Sequence, residues 1–170
     1  WSSDVCSSDL LCFGDIYINP SSTVKNLGVT LDSALSMTSH INAVCRSVNF
    51  HIRNLWRIRR FLTQDECHNA VRSLILSRID YANTLLYGAR EVDISRLQRL
   101  QNRAACLVLS CGRECSSNLL LRNLHWLPIK QRIIFKVLLY VYKSIHGLSP
   151  SYITDGISLY NRSEERRVGK

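Results

Sequence analysis

Four arginines between residues 37 and 62 have a spacing that would let them bind phosphate groups together. They are Arg46, Arg53, Arg57 and Arg60, separated by seven, four and three residues, and such offsets keep side chains on one face of an α-helix. No acidic residue lies between positions 33 and 64 to offset their mutual repulsion. Because a planar guanidinium can meet two phosphate oxygens at once, the row is suited to a nucleic-acid backbone. The simpler interpretation is a solvated helix face that happens to be basic.

The helix that would carry these arginines is predicted by the apolar residues of the same stretch. Between residues 37 and 62, aliphatic side chains recur at helical spacing on the side opposite the arginines. These side chains are Ile41, Val44, Val48, Ile52, Leu55, Ile58 and Leu62. We therefore expect one helix that buries this side and presents its arginines to solvent.

Three further main helices are predicted downstream, each beginning at a capping or initiating residue and ending at a glycine. The starts are Thr63, Asp93 and Pro128, and the corresponding ends are Gly88, Gly112 and Gly147. Thr63 and Glu66 form a capping box, in which each side chain bonds the other residue's backbone N–H. The apolar period of this second helix continues to Leu85. A short helix is expected at residues 118–123.

Basic side chains also line one side of the third and fourth main helices. We include them with the four arginines in the predicted nucleic-acid-binding set. They are Arg96, Arg99 and Arg103 on the third helix, and Arg132, Lys136 and Lys143 on the fourth.

The chain before the helices consists of short extended runs at 11–13, 16–18 and 23–31, separated by turn-forming residues. A three-strand meander, or the last strands of a larger sheet, fits this pattern. The predicted fold class is therefore mainly α, with four main helices and a small N-terminal antiparallel β appendage. We assign residues 11–32 to the β segment and 33–160 to the helical region.

Composition limits the choice of partner. The 170 residues carry a net charge of +9, which favours a polyanion, and nucleic acid is the first candidate. An acidic membrane surface is the second candidate. The longest apolar run, at 137–142, is far shorter than the roughly 20 residues of a membrane span, so membrane spanning is excluded, and no membrane is included among the expected partners. Seven cysteines at irregular spacing predict free thiols in a reducing compartment.

The two ends of the chain do not continue the pattern of their neighbours. Residues 1–10 repeat Ser-Ser-Asp, residues 161–170 read NRSEERRVGK, and both resemble translated sequencing-adapter sequence, so we exclude them from fold prediction. Together they contain four basic and four acidic residues. The excess of +9 therefore belongs to the body of the chain.

Metal binding and catalysis receive little support from the residues. Cys106, Cys111, Cys115 and His125 lack the paired C-x2-C spacing that closes a zinc site easily, and we interpret the cysteines as core and surface thiols. The sequence contains no Gly-rich phosphate loop, nucleophile–base pair or paired-carboxylate motif. No catalytic residue, metal ligand or cofactor-binding residue is assigned.

The corner at residues 125–128, His-Trp-Leu-Pro, allows two interpretations. A tryptophan can stack on a nucleobase, but one beside a proline between two helices more often fills a core. We expect Trp126 and Leu127 to be buried between the third helix and the helix that begins at Pro128.

A series of motifs runs in order between residues 11 and 160. They are 26–32 (NLGVTLD) with His40-Ile41, 77–83 (SRIDYAN), 97–105 (LQRLQNRAA), 124–129 (LHWLPI) with Arg132-Ile133, Phe135-Lys136, and 142–147 (YKSIHG) with Pro150. This series resembles the region just past the catalytic core in reverse transcriptases of LINE-type, jockey-like non-LTR retrotransposons. Ala82 stands where a cysteine is usual, and Cys106 stands where an arginine usually follows the Ala-Ala pair.

The resemblance implies that residues 11–32 are the end of a palm-like domain, with residues 27–32 near the primer terminus. The helices would then correspond to the thumb and the region beyond it, which hold an RNA–DNA template–primer duplex. In that family a Tyr/Phe-Ala-Asp-Asp motif, with two divalent metal ions such as Mg²⁺, lies upstream in the palm. Asp15 and Asp32 do not stand in such a motif, so we expect no polymerase activity from this chain alone.

Other properties follow from the same resemblance. The intact protein would carry upstream palm and endonuclease domains, bind RNA, and occur in the nucleus and cytoplasm as a ribonucleoprotein.

The alternative is a helical interaction or scaffold module whose basic face binds an acidic protein. Binding of phosphate should weaken steeply with salt and be indifferent to base sequence, which separates the two hypotheses.

Overall fold

The computed structural model describes residues 11–18, 21–112 and 115–157, and for the two strands at 11–13 and 16–18 it describes the backbone alone. The two end segments predicted to be foreign lie outside these residues. The predicted fold class is confirmed, because the described residues are mainly helical with a small antiparallel β region at the N-terminal side.

The elements of the described residues follow in chain order. The strands are β1 (Leu11–Phe13), β2 (Ile16–Ile18), β3 (Thr23–Asn26) and β4 (Val29–Asp32). The α-helices are α1 (Thr38–Ile58), α2 (Gln64–Val71), α3 (Ser77–Asp80), α4 (Glu91–Leu109), α5 (Ser117–Asn123), α6 (Ile129–Ile145) and α7 (Ser151–Thr154). Single turns of other helix types occupy Arg59–Phe61, Arg72–Leu76 and Asn83–Leu86.

The expected three-strand meander is wrong for the described residues, which form two separate two-stranded hairpins, β1–β2 and β3–β4. The run at 23–31, predicted as one strand, reverses at Leu27 and Gly28. Their φ angles of +46° and +82° are those of a two-residue hairpin turn with both central residues left-handed. Leucine rarely adopts this conformation, which is why the sequence did not reveal the turn.

The β3–β4 hairpin is fastened to the helices by polar contacts. The Thr30 backbone N–H donates to His40 Nδ1 at 3.4 Å, and burial lowers the pKa of His40, which favours the neutral imidazole that accepts this bond. The Tyr81 hydroxyl donates to the Leu27 carbonyl at 2.5 Å. A side chain at Gly28 would come within 3.6 Å of the Tyr81 ring. The tip of the hairpin therefore rests on α1 and on the end of α3.

Helix α1 buries most of the face that the sequence predicted. Its fully or largely buried side chains are His40, Ile41, Cys45, Val48, Ile52 and Leu55. The prediction is wrong for Ile58, which is 46% exposed. Helix α1 ends at Ile58, and the next residue, Arg59, turns towards α4 instead.

Helices α1 and α4 lie side by side and run parallel. Near their N-terminal ends, Thr38 Oγ1 donates to Asp93 Oδ2 at 3.2 Å. Near their C-terminal ends, Arg59 Nε donates to the Leu107 carbonyl at 2.8 Å. The core side chains of the pair include Ile41, Val48, Ile52 and Leu55 from α1 and Leu97, Leu100, Ala104 and Val108 from α4.

Arg59 caps the C-terminal end of α4, where backbone carbonyls have no partner within the helix. Besides its bond to Leu107, its Nη2 donates to the Val108 carbonyl at 3.0 Å, and its Nη1 donates to Leu62 at 2.8 Å. The guanidinium charge also faces the negative end of the α4 dipole. Helix α4 ends here, at Leu109, because Ser110 adopts a left-handed φ of +51°, and the predicted end at Gly112 is wrong.

The second predicted helix is confirmed at its start and wrong at its end. Thr63 and Glu66 form both bonds of the capping box. The helix continues through the turn at Arg72–Leu76 only to Asp80, because Ala82 adopts a left-handed φ of +51°. Leu85, which the apolar period placed on the buried side, is exposed for this reason.

The corner between α5 and α6 buries Trp126, as predicted. Helix α5 ends in a Schellman motif: the Trp126 N–H donates to the Leu121 carbonyl at 2.8 Å, and the His125 N–H donates to that of Arg122 at 3.0 Å. Trp126 is 8% exposed, and its indole Nε1 donates to His68 Nε2 at 3.3 Å. A buried indole favours the core interpretation over base stacking.

The expectation that Leu127 is buried is wrong, because its backbone makes the contact with α4. Gln101 donates to the Leu127 carbonyl at 2.9 Å, and Gln98 accepts from the Ile129 N–H at 2.8 Å. These bonds turn the Leu127 side chain outward, where it is exposed.

Among the described residues, no helix combines the length and the apolar character that crossing a membrane requires.

Candidate nucleic-acid interface

Arg46, Arg53 and Arg57 are exposed on the side of α1 opposite its buried face, as the spacing predicted. None of these three side chains makes a hydrogen bond or ion pair with another described residue, so their charges face solvent. Arg60 is also exposed but lies in the turn after α1, with its guanidinium 4.6 Å from the centre of the Phe61 ring.

The three arginines of α4 lie on the flank of that helix that faces α1. Arg103 Nη1 donates to Asn49 Oδ1 of α1 at 2.6 Å. Arg96 and Arg46 line the same surface cleft between the two helices, whose volume is about 490 Å³. Burial raises the pKa of the Cys45 thiol in this cleft, although the charges of Arg96 and Arg99 act to lower it.

These contacts define one surface, which we call the arginine face. Its members are Arg46, Arg53 and Arg57 of α1 and Arg96, Arg99 and Arg103 of α4. Because α1 and α4 are parallel and in contact, the two rows of arginines lie beside each other. The α1 row spans about 16 Å, and over this length of duplex axis one strand of B-form geometry carries about five phosphates. Helix α1 has no acidic residue, and those of α4 lie in its first turn.

Asp93 fixes the N-terminal ends of α1 and α4 and positions Arg96. It is the third residue of α4 and not its cap, which corrects the sequence prediction. Its buried carboxylate accepts from Arg90 Nη2 at 3.0 Å and from Arg96 Nη1 at 3.2 Å, in addition to Thr38. Burial alone would raise the pKa of Asp93, but the hydrogen bonds from Arg90 and Thr38 and the nearby positive charges lower it overall.

We expect Asp93 to make the fold sensitive to acid. A carboxyl whose folded-state pKa is lowered stabilises the fold fully above its unfolded value, about 3.9, and this contribution disappears as the pH falls through the lower folded value. Urea unfolding measured from about pH 7 down to about pH 2 should show this loss. Asp93→Asn should make the acid-induced decline shallower.

Comparing the unmodified chain with the Asp93→Asn variant separates the contribution of Asp93 to acid sensitivity from that of other carboxyls. Hydrogen bonds from Ser36 and from Thr63 lower the pKa of Asp32 and of Glu66 respectively, and these groups titrate in both chains. An equally steep decline in Asp93→Asn would show that Asp93 does not contribute.

The basic residues of α6 do not line the cleft between α1 and α4. Arg132 pairs with the Asp80 carboxylate through both Nε and Nη2, and Lys136 donates to the Asp80 carbonyl at 2.9 Å. Both side chains thus join α6 to the end of α3. Lys143 is exposed and has no hydrogen-bond partner among the described residues. We leave these three residues out of the arginine face.

The three cysteines considered as zinc ligands lie at the end of α4 and in the loop after it. Cys106 and Cys111 are partly buried, Cys115 is exposed, and a hydrogen bond with Cys111 raises the pKa of Cys115. His125 is exposed, with φ +53°. Within the described ranges, no group of three or more His, Cys, Asp or Glu side chains is arranged to hold a metal ion.

Two arginines that were not predicted from the sequence hold α1 and α4 together beneath the arginine face. Arg59 caps α4, and Arg90 pairs with Asp93. The spacing of three residues between Arg90 and Asp93 is a signal for such a pair on a helix. For Arg59 no comparable signal exists, because the carbonyls that it caps on α4, those of Leu107 and Val108, are far away in the sequence.

Comparison with known proteins adds no relative: no protein-family model, no curated protein and no solved structure matches this chain. The resemblance to LINE-type reverse transcriptases therefore stays a prediction, carried by the motifs in the sequence.

Proposed function

We propose that this chain is the part of a non-LTR retrotransposon reverse transcriptase that follows the catalytic core and holds the template–primer duplex. The observation that carries the proposal is the arginine face, in which two parallel helices present six arginines side by side. Such a surface matches the phosphate backbone of an RNA–DNA hybrid. Its contacts position a duplex without reading its bases, which suits an enzyme that must copy any template.

The residues under the face hold the two rows in a fixed arrangement. Asp93 and Thr38 join the helices at one end, Arg59 joins them at the other, and the bond from Arg103 to Asn49 lies between. A rigid surface loses less conformational entropy when a duplex binds. The free guanidiniums of α1 would contact one strand, and those of α4 would extend the positive surface beside it.

Polymerisation itself needs residues that this chain does not supply. In the resembled family two divalent metal ions activate the primer end and stabilise the leaving group. The donor set here does not fit that role: the two carboxylate oxygens of Asp32 accept from the N–H and hydroxyl of Ser36, both at 2.9 Å. We therefore assign duplex holding to this chain, and metal-dependent chemistry to the upstream palm.

The test is a titration of an RNA–DNA hybrid across salt concentrations with two matched double variants. Arg53→Gln with Arg57→Gln removes two charges from the arginine face. Arg72→Gln with Arg122→Gln removes two exposed charges elsewhere. Each lost phosphate contact should reduce the slope of log affinity against log salt by about 0.7–0.9. The slope for the variant with Arg53→Gln and Arg57→Gln should therefore fall by about 1.4–1.8.

The second variant controls for net charge alone and should keep nearly the full slope. Hybrids of unrelated sequence should bind equally well to the unmodified chain. Equal slopes for the two variants, with both folded by circular dichroism, would contradict the proposal. Failure to bind any hybrid, together with salt-sensitive binding of an acidic protein, would favour the scaffold alternative.

A further inference from the structure

Helix α6 is covered by the rest of the protein on one side only. Ile129 and Ile133 are buried against the core. The opposite side is apolar along nearly its whole length and faces solvent. We call it the α6 outer face, and its members are Ile134, Phe135, Leu138, Leu139, Tyr142 and Ile145, between 37% and 60% exposed.

The spacing of the α6 outer face is that of a helix built to pack against another helix. Ile134, Leu138, Tyr142 and Ile145 follow one another at intervals of four, four and three residues, which places them in one row about 16 Å long. A contiguous apolar surface of this kind on a protein marks an interaction site more often than a solvated face. It lies on a different helix from the arginine face.

A surface cavity of about 290 Å³ adjoins this face where α6 meets the end of α3, Asn83 and the corner at His125 and Leu127. Phe135 and Leu139 form part of its wall, and Asn83, only 3% exposed, also lines it. Asn83 Nδ2 donates to Asp80 Oδ1 at 3.3 Å, and this bond fixes which way the amide points. Asn83 Oδ1 is buried without a hydrogen-bond partner among the described residues. Buried acceptors are normally satisfied, so a donor on a partner fits here.

Charge identifies the kind of partner. Helix α6 has no acidic residue, and Lys136 and Lys143 lie along one flank of its outer face. A second copy of the chain fits poorly, because an antiparallel symmetric pair would bring this basic flank against itself. A partner with acidic residues along one edge of an apolar stripe is complementary to it.

We propose that the α6 outer face and its cavity bind an amphipathic helix of a protein partner. The apolar stripe of that helix packs on Leu138 and its neighbours in the manner of a helix in a groove. Acidic residues on one flank of the partner meet the exposed Lys143, and the partly buried Lys136, which donates to the Asp80 carbonyl, adds positive charge beside it. A displacement of the cavity wall on binding lets a hydrogen-bond donor on the partner reach Asn83 Oδ1, which is closed to solvent in the free chain.

The experiment selects binders to the full chain from a display library of helical peptides of about 18 residues, matched to the 17 residues of α6. The peptides carry a fixed leucine stripe, and their other positions vary among Glu, Gln and Lys. Enriched peptides should carry Glu along one flank. Their affinity should fall about tenfold with Leu138→Gln and about fivefold with Asn83→Leu.

Val92→Gln is the matched control, because Val92 is an exposed apolar residue of α4, 70% exposed, outside this face. It should leave peptide affinity unchanged. Enrichment of no helical peptide, enrichment of Lys-rich peptides, or binding insensitive to Leu138→Gln would each overturn the proposal.

Two further measurements test the other occupants of this surface. Sedimentation that shows a dimer lost in Leu138→Gln would assign the face to a second copy of the chain. Flotation with phosphatidylserine–phosphatidylcholine vesicles, also lost in Leu138→Gln, would assign it to an acidic lipid surface. Either result would overturn the assignment to a protein helix.

Discussion

Trp126→Ala is expected to lower the free energy of unfolding by about 3–5 kcal/mol. The indole is 8% exposed and belongs to the same core cluster as Leu121 and Ile129. Its removal leaves a cavity at the corner between α5 and α6 and deprives His68 Nε2 of its donor. Because small domains are stable by only about 5–15 kcal/mol, the loss is a large fraction of the total. Urea unfolding followed by circular dichroism measures it.

Trp56→Ala provides the control, because Trp56 is a tryptophan of α1 that is exposed to solvent. It should cost less than about 1 kcal/mol. If Trp126→Ala unfolds at the same urea concentration as the unmodified chain, the indole is not part of the core in solution. The hypothesis that it stacks on a nucleobase would then gain support.

Arg59→Gln is expected to cost about 2–3 kcal/mol of unfolding free energy. The substitution removes charge-assisted bonds to three backbone carbonyls, those of Leu62, Leu107 and Val108. Two of these carbonyls form the C-terminal end of α4, where no partner exists within the helix. The same denaturation experiment gives the value.

Arg60→Gln is the matched control for Arg59→Gln, since it removes the same charge at the adjacent position. Arg60 is exposed, makes no hydrogen bond or ion pair with another described residue, and lies over the Phe61 ring. Its substitution should change the unfolding free energy by less than about 0.5 kcal/mol. Equal effects of the two substitutions would show that net charge, and not the capping of α4, determines the result.

The sequence predicted the parts of the fold that depend on local interactions. The helical spacing of apolar residues predicted α1, α4 and α6, because a helix that buries one side must repeat its apolar residues every three or four positions. The capping box of Thr63 and Glu66 formed as expected because both partners lie within one turn. Burial of Trp126 followed from its place at a corner beside a proline.

The wrong predictions concern places where distant residues decide the outcome. Ile58 is exposed because Arg59 bonds to α4, about 50 positions later in the chain. Leu127 is exposed because Gln101 holds its carbonyl. The hairpin at Leu27 and Gly28 requires a leucine in a left-handed conformation, which tertiary contacts such as the bond from Tyr81 stabilise.

The membership of the candidate site was predictable only in part, because Arg60, Arg132, Lys136 and Lys143 lie outside the arginine face, and its geometry was not predictable. Spacing alone identified the arginines of α1 and α4, but could not show that the two helices lie parallel and adjacent. Neither could it show that Arg132 and Lys136 are engaged with Asp80. The sequence shows which helix faces are basic and which are apolar, whereas the packed core determines which helices lie against each other.

The parallel arrangement of α1 and α4 would link the proposed duplex binding to folding. A parallel pair requires a long connection, and the contacts across it join residues 54 and 55 positions apart. Closing such a loop is slow compared with forming either helix, so an incompletely folded or truncated chain would display only one row of arginines. If a duplex spans both rows, as proposed, it favours the folded state, and by mass action the melting temperature of the chain should rise as the duplex concentration increases above the dissociation constant.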